Sequence, residues 1–138
     1  MDAREYLEQI EKNEKIIANK QIEKKYWLEI ATGTTAKVGG ERVQTSGDGH
    51  NMEKQIVEVV LIDEEIERLK GEIAEIISTL ERLKATEYDF LHKIYVQHLS
   101  LKEVHTASGK SYSWATTTHS LALRNLQRIL DGQEKARA

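Results

Sequence analysis

The chain has 138 residues, of which 20 are Lys or Arg and 23 are Asp or Glu, so its formal net charge is -3. It contains no Cys and no Pro, which excludes disulfides, thiolate zinc sites and cysteine nucleophiles, and favours long uninterrupted helices. No apolar run approaches the roughly 20 residues of a membrane-spanning helix, and the first residues do not have the pattern of a secretory signal. These features predict a soluble, cytoplasmic protein of one domain or two small lobes.

The charge is unevenly distributed along the chain. Residues 1–84 carry 13 basic and 18 acidic side chains, whereas residues 85–138 carry 7 basic and 5 acidic ones. A mildly basic C-terminal lobe is compatible with nucleic-acid binding, and an acidic N-terminal lobe argues against it there. Ordinary solvated surfaces explain the same numbers, so charge alone leaves the function open.

The first predicted element is a helix over residues 3–31, where apolar residues recur at helical spacing and Gly is absent. Residues 32–51 contain five of the eight Gly residues and predict a connector between two helices. Within it, Lys37-Val38 and Arg42-Val43 have the pattern of a small hairpin around Gly39-Gly40. No phosphate-binding loop is predicted here, because the segment lacks a Gly-Lys-Ser or Gly-Lys-Thr ending between a strand and a helix.

A second helix is predicted over residues 52–84, where apolar residues alternate three and four apart through four heptads, as in a coiled coil. One face of this helix is expected to pack on helix 3–31 as an antiparallel hairpin, and the other to meet a second subunit in a homodimer. Val57, Val60, Leu61 and Ile77 broaden the apolar surface, and Gly71 suggests a close helix approach. The residues assigned to oligomerisation, here called the seam, are Val59, Ile62, Ile66, Leu69, Ile73, Ile76, Leu80 and Leu83.

Three shorter helices are predicted in the C-terminal lobe, residues 85–138. The first covers residues 87–98 with Thr86 as its N-cap, and the second covers residues 101–107 with Ser100 and Glu103 as a capping box. The third covers residues 111–130 and is expected to end at Asp131-Gly132, before a frayed tail over residues 133–138. The predicted fold is therefore all-α, with an N-terminal helical hairpin over residues 1–84 and a C-terminal helix-turn-helix module.

The order of a short helix, a turn with Gly109 and a longer helix is typical of helix-turn-helix proteins, with Val104 and Ala115 on the inward faces. The outward face of the longer helix is rich in hydroxyls and lacks acidic residues. Hydroxyls can bind both phosphate oxygens and base edges, and a helix N-terminus favours anions. This face therefore predicts contact with double-stranded DNA. The predicted DNA-binding residues are Lys102, Lys110, Ser111, Tyr112, Ser113, Thr116, Thr117, His119, Ser120, Arg124 and Arg128.

A resemblance to a known family supports this interpretation. The C-terminal module resembles sigma factor region four at Leu101-Lys102-Glu103-Val104, Gly109, Ser111, Ala115, Ala122-Leu123 and Leu126. His105 stands where the region-four pattern has Ala. The whole chain resembles small regulators of Gram-positive bacteriophages in the order of its segments. That order is a first helix, the stretch Gly39-Gly40-Glu41-Arg42-Val43-Gln44, a coiled-coil helix and this module. Those proteins are related to the RinA and ArpU late transcriptional regulators. The resemblance covers nearly the whole chain and implies activation of late and packaging genes at promoter DNA, with host RNA polymerase as a further partner.

Two other classes remain open from the sequence. Small terminase subunits, which package phage DNA, also join a helix-turn-helix to oligomerising helices, but they form larger rings. An interaction protein would use the coiled coil alone and would show no salt-dependent affinity for DNA. No metal site or cofactor is predicted, because His92, His98 and His105 lack a ligand spacing, and no enzyme is predicted, because no catalytic motif is present.

Overall fold

The computed structural model describes residues 1–33 and 49–137, and every regular element in those ranges is helical. Helix α1 covers Ala3–Thr32, α2 Gly49–Leu80, α3 Ala85–Leu91, α4 Leu101–Ser108 and α5 Tyr112–Arg137, and a π-helix, His92–Val96, follows α3. The predicted all-α class is therefore confirmed. The small hairpin predicted around residues 37–43 lies outside the described residues and stays a prediction.

The chain forms two compact units. One, here called the terminal unit, joins Met1–Asn13 to the chain from Gly71 onwards, and the other, the hairpin unit, consists of Glu14–Lys70. This division differs from the predicted boundary at residue 84, because the start of α1 packs on α5. The backbone N–H of Ala3 donates to Gln127 Oε1 at 2.7 Å, and Gln127 Nε2 donates to the carbonyl of Met1 at 2.9 Å.

Helices α1 and α2 pack against each other as the predicted hairpin. In the terminal unit, Tyr6 Oη donates to Thr79 Oγ1 at 2.9 Å. In the hairpin unit, Lys24 Nζ lies 2.9 Å from Asp63 Oδ1. No heavy atom lies within 4 Å of a Cβ built at Gly71, so within the described part of the chain no second helix makes the predicted close approach at this residue.

The seam of α2 is covered inside the single chain. Seven of its eight residues are buried, and Ile73 is partly buried. Side chains that are already covered are not free to meet a second subunit, so the seam serves the interior of one chain. The face of α2 that a second subunit could reach is a different one, which exposes Val57, Val60 and Leu61.

Helix α2 ends at Leu80, before the predicted end at residue 84. The N–H of Arg82 donates to the carbonyl of Thr79, and the N–H of Leu83 to the carbonyl of Leu80, both at 3.0 Å. These bonds reach back three residues and tighten the last turn, which directs the chain out of the helix. Leu83 keeps the apolar spacing and is buried, but it lies beyond the helix end.

The helix predicted over residues 87–98 is divided into two parts. Lys84, not Thr86, occupies the N-cap position of α3, without a side-chain capping bond, because the helix starts at Ala85. The chain then widens into the π-helix, and the N–H of Gln97 donates to the carbonyl of His92 at 3.0 Å. His98 stops the helical path, since its φ of 61° places a non-Gly residue in the left-handed region.

Helix α5 continues through Gly132 to residue 137, so the predicted end at Asp131-Gly132 is wrong and residues 133–137 of the predicted tail are helical. Residue 138 lies outside the described residues. Contacts on both sides of Gly132 hold the helix. Gln127 Nε2 donates to Asp131 Oδ1 at 3.1 Å, and the Met1 ammonium lies 2.9 Å from Glu134 Oε2. A single Gly lowers helix stability by about 1 kcal/mol, which such contacts can offset.

One hydrophobic core holds the terminal unit together. It takes side chains from all five α-helices, and its central members are fully buried. These are Leu7, Ile10, Leu80, Leu91, Val104, Ala115, Ala122 and Leu126. The core fixes the inward faces of α4 and α5, and so determines which of their residues face solvent.

Candidate nucleic-acid interface

The start of α4 has the predicted capping box. Ser100 Oγ accepts from the N–H of Glu103 at 3.1 Å, and Glu103 Oε1 accepts from the N–H of Ser100 at 2.8 Å. The backbone N–H of Ser100, and secondarily its hydroxyl, lower the pKa of the Glu103 carboxyl below its ordinary value by hydrogen bonding to it. Two otherwise unpaired donors at the helix N-terminus are satisfied, so α4 begins at a defined residue although it is only eight residues long.

The turn between α4 and α5 depends on Gly109. Its φ of 71° and ψ of 22° are left-handed, as the sequence predicted for this position. The N–H of Gly109 donates to the carbonyl of Thr106, and the N–H of Lys110 to that of His105. The turn therefore closes α4 by backbone bonds and brings the chain directly to the start of α5.

His105, which departs from the region-four pattern, has a structural role in this turn. Its Nδ1 lies 3.0 Å from the carbonyl oxygen of Lys110, which can only accept, so Nδ1 carries the proton. Its ring also meets Tyr112 edge to face, with centroids 5.6 Å apart. Val104 beside it is buried as predicted. The imidazole thus joins the end of α4 to the start of α5.

The N-terminal part of α5 presents hydroxyls to solvent. Ser111 Oγ accepts from the N–H of Trp114 at 2.9 Å and so caps the helix, while Ser113, Thr117 and Ser120 are exposed. Tyr112 is also exposed, and Thr116 is half-buried with its hydroxyl donating to the carbonyl of Ser113 at 3.0 Å. The structure therefore brings the predicted Ser, Thr and Tyr residues together around the first turns of one helix.

Basic side chains accompany these hydroxyls, and acidic ones are absent. Lys102, Lys110, Arg124 and Arg128 are all exposed, and no Asp or Glu occurs between residues 104 and 130. One of the four, Arg128, donates to the amide oxygen of Asn125 at 3.4 Å. The helix N-terminus adds its own partial positive charge. This combination favours an anionic partner with many acceptor oxygens.

His119 does not belong to the exposed face, which corrects its predicted phosphate contact. Its ring stacks on Tyr95 with centroids 5.8 Å apart, and its Nε2 lies 2.8 Å from Tyr95 Oη. Burial, and secondarily the charge of Arg4, lowers the pKa of His119. The imidazole is therefore neutral near pH 7 and contributes to packing between the π-helix and α5.

A cavity beside this face brings in residues that the sequence did not single out. It has a volume of about 500 Å³ and lies between α3, α4 and α5. Phe90 and Trp114, whose rings meet edge to face at 5.6 Å, form part of its apolar lining. Lys84, Lys93 and Lys110 line it together with Glu87 and Asp89, and Lys93 Nζ lies 2.9 Å from Asp89 Oδ2. No sequence signal identifies Lys84 or Lys93, because tertiary packing alone brings them near α5.

No family model matches this chain, and neither the curated proteins nor the solved structures contain a match to it. Within residues 1–33 and 49–137, no three His, Asp or Glu side chains come together as a metal-binding group. No helix in the described part of the chain is long and apolar enough to cross a membrane. The candidate site therefore rests on its own geometry and charge.

Proposed function

We propose that this chain is a bacteriophage DNA-binding transcription regulator that acts through α4, the Gly109 turn and α5. The observation that carries the proposal is the exposed N-terminal face of α5. It combines Ser113, Thr117 and Ser120 with Lys110 and Arg124 and has no acidic residue. Because DNA offers phosphate oxygens and hydrogen-bonding base edges, it matches this combination better than an uncharged ligand would.

The proposed mechanism divides the face between sequence reading and positioning. Ser113, Thr117 and their neighbours would reach base edges in the major groove, while Lys102, Lys110 and Arg124 would hold phosphates. Activation of late and packaging genes would follow from placing the protein beside host RNA polymerase in the cytoplasm of the bacterial host. No chemical step is required, so the proposal is a regulator and not an enzyme.

A homodimer completes the proposal. Two copies would present two α5 helices, which read half-sites about one helical turn of DNA apart. A larger ring would instead favour a small terminase-like packaging component. The number of subunits on DNA therefore separates these two functions.

The decisive experiment is fluorescence anisotropy of the full chain with labelled duplexes at two salt concentrations. One duplex comes from the region upstream of the phage late genes, and the other is a shuffled sequence of equal length. A sequence-reading protein binds the first more tightly at both concentrations, and its affinity falls with salt because phosphate contacts release counterions. Equal or absent binding to the two duplexes would contradict the proposal.

Two kinds of variant separate the proposed roles. Ser113→Ala and Thr117→Ala are expected to lose about 1–3 kcal/mol of binding free energy on the preferred duplex, and little on the shuffled one. Lys110→Ala should weaken binding to both duplexes and lower the slope of the salt dependence by about 1. Lys54→Ala removes an exposed Lys from the hairpin unit and serves as the matched control, with no expected effect.

A further inference from the structure

The cavity between α3, α4 and α5 has a buried apolar floor and an exposed rim. Phe90 and Val104, which are 3% and 2% exposed, form the floor, and the half-buried Trp114 stands against Phe90. The exposed residues of the lining include Lys84, Thr86, Ser108, Lys110 and Leu121. The volume of about 500 Å³ falls within the range of about 300–1,000 Å³ of small-molecule sites. Size and lining are therefore typical of a binding site for a small ligand.

The acidic groups of the lining already have partners. Glu87 is buried, and its Oε2 accepts from Asn125 Nδ2 at 2.7 Å. Asp89 Oδ2 lies 2.9 Å from Lys93 Nζ. A ligand therefore does not have to supply a cation or a hydrogen-bond donor to either carboxylate.

The lining also has polar groups without a partner, and most of them are donors. Within the described residues, Lys84 and Lys110 form no ion pair, and the indole N–H of Trp114 forms no hydrogen bond. The hydroxyls of Thr86 and Thr118 are likewise unpaired in this part of the chain. Ammonium and indole groups donate hydrogen bonds and cannot accept them. With three Lys and two carboxylates, the lining has a net charge of +1, which an anion rich in acceptor oxygens complements.

We propose that this cavity binds a small aromatic anion, with its ring against Phe90 and Trp114 and its anionic group at Lys84 and Lys110. Aromatic rings attract each other beyond the effect of buried area, and charge-assisted hydrogen bonds are stronger than neutral ones. A regulatory consequence rests on the proposed function, in which Lys110 also holds a DNA phosphate. The bound anion competes for the Lys110 ammonium, so the cavity acts as an effector site that lowers affinity for DNA.

The probe is 2-naphthoate, titrated into the isotopically labelled full chain and followed through its indole N–H signals by NMR. The chain has two Trp residues, and Trp27 belongs to the hairpin unit, so its signal is an internal control. The Trp114 signal, assigned with Trp27→Phe, should shift until the site is saturated, while the Trp27 signal stays in place. The cationic analogue 2-naphthylmethylammonium should bind at least about tenfold more weakly, because like charges then meet at the rim. An unshifted Trp114 signal, equal shifts of both indoles or equal affinity for the two probes overturns the proposal.

Variants of the rim test how the anion is held. Lys84→Gln and Lys110→Gln should each lower the affinity for 2-naphthoate about two- to fivefold, as expected for single exposed ion pairs. Lys135→Gln is the matched control, because Lys135 is an exposed Lys of the terminal unit outside the cavity lining. Wild-type affinity in both rim variants, or an equal loss in the control, contradicts the proposed contacts.

The anisotropy assay with labelled duplexes tests the regulatory consequence. Saturating 2-naphthoate should lower the affinity for both duplexes about fivefold. Lys84→Gln should bind DNA as the wild-type chain does and respond only at higher naphthoate concentration. Bound naphthoate that leaves DNA affinity unchanged overturns the effector role. A chain that binds DNA but not naphthoate removes only this site, and a chain that binds naphthoate but not DNA removes only the proposed function.

Discussion

Replacing Gly109 by Ala tests whether the turn before α5 depends on a left-handed backbone. Gly109 has a φ of 71°, and no heavy atom lies within 4 Å of a Cβ built there, so the substitution causes no steric overlap. The remaining effect is conformational, and the left-handed region costs an L-residue about 1–2 kcal/mol. Ala recovers part of this loss, because it restricts the unfolded chain by roughly 0.4–1 kcal/mol more than Gly. We expect a net loss of about 1 kcal/mol in the free energy of unfolding.

The matched control is Gly71→Ala, which has the opposite expected sign. Gly71 lies within α2 and also has no heavy atom within 4 Å of a built Cβ. Ala is the better helix former, so this variant should gain about 0.5–1 kcal/mol. A third variant, Gly109→Asn, should lose less than Gly109→Ala, because Asn adopts the left-handed region more readily than other non-Gly residues.

Urea unfolding of the full-length variants, followed by far-UV circular dichroism, measures these differences. The dependence on urea should stay the same in all variants, so the transition midpoints report stability directly. The two Ala variants are expected to differ by about 1.5–2 kcal/mol. If Gly109→Ala unfolds at the same urea midpoint as the wild-type chain, or at the same midpoint as Gly71→Ala, the turn is not held in the left-handed conformation.

Three further outcomes follow from the terminal unit. Burial holds the pKa of His119 below its ordinary value, so the unfolded chain binds the proton more readily than the folded one. The free energy of unfolding therefore falls as pH decreases through about 6.5. His119→Gln should flatten this decline in unfolding curves measured between about pH 7 and 5. Ser100→Ala removes the acceptor of the α4 capping box and should lower the unfolding free energy by about 1 kcal/mol, whereas Ser113→Ala should not. Leu126→Ala, at a fully buried position, should lower it by about 2–5 kcal/mol, and a loss below 1 kcal/mol would contradict the described core.

Local features were predictable from the sequence because their causes lie within a few residues. The capping box needs only Ser100 and Glu103 at the right spacing, and the turn needs Gly109 after a short amphipathic helix. The inward positions of Val104 and Ala115 likewise follow from helical periodicity, and both are buried. These features locate the exposed face of α5 without knowledge of distant contacts.

Features set by distant parts of the chain were not predictable in the same way. Gly132 suggested a helix end, but α5 continues past it to residue 137, where Glu134 contacts Met1 from the start of the sequence. His119 occupies a helix position near the hydroxyl-rich face, and only the placement of Tyr95 on the preceding π-helix turns its ring inward. The seam indicated burial correctly, but periodicity does not distinguish a partner helix in the same chain from one in a second subunit.

Stability and binding can be separated on α5, because different sides of the helix serve them. Ala122 and Leu126 are fully buried, whereas Ser113 and Thr117 are exposed. Truncating an exposed hydroxyl away from a capping site changes stability by less than about 0.5 kcal/mol. The same truncation should lower affinity for a preferred DNA site by about 1–3 kcal/mol if the proposed face reads bases. A Thr117→Ala variant that keeps its stability and loses sequence preference therefore assigns a binding role, whereas one that loses neither leaves α5 as scaffold alone.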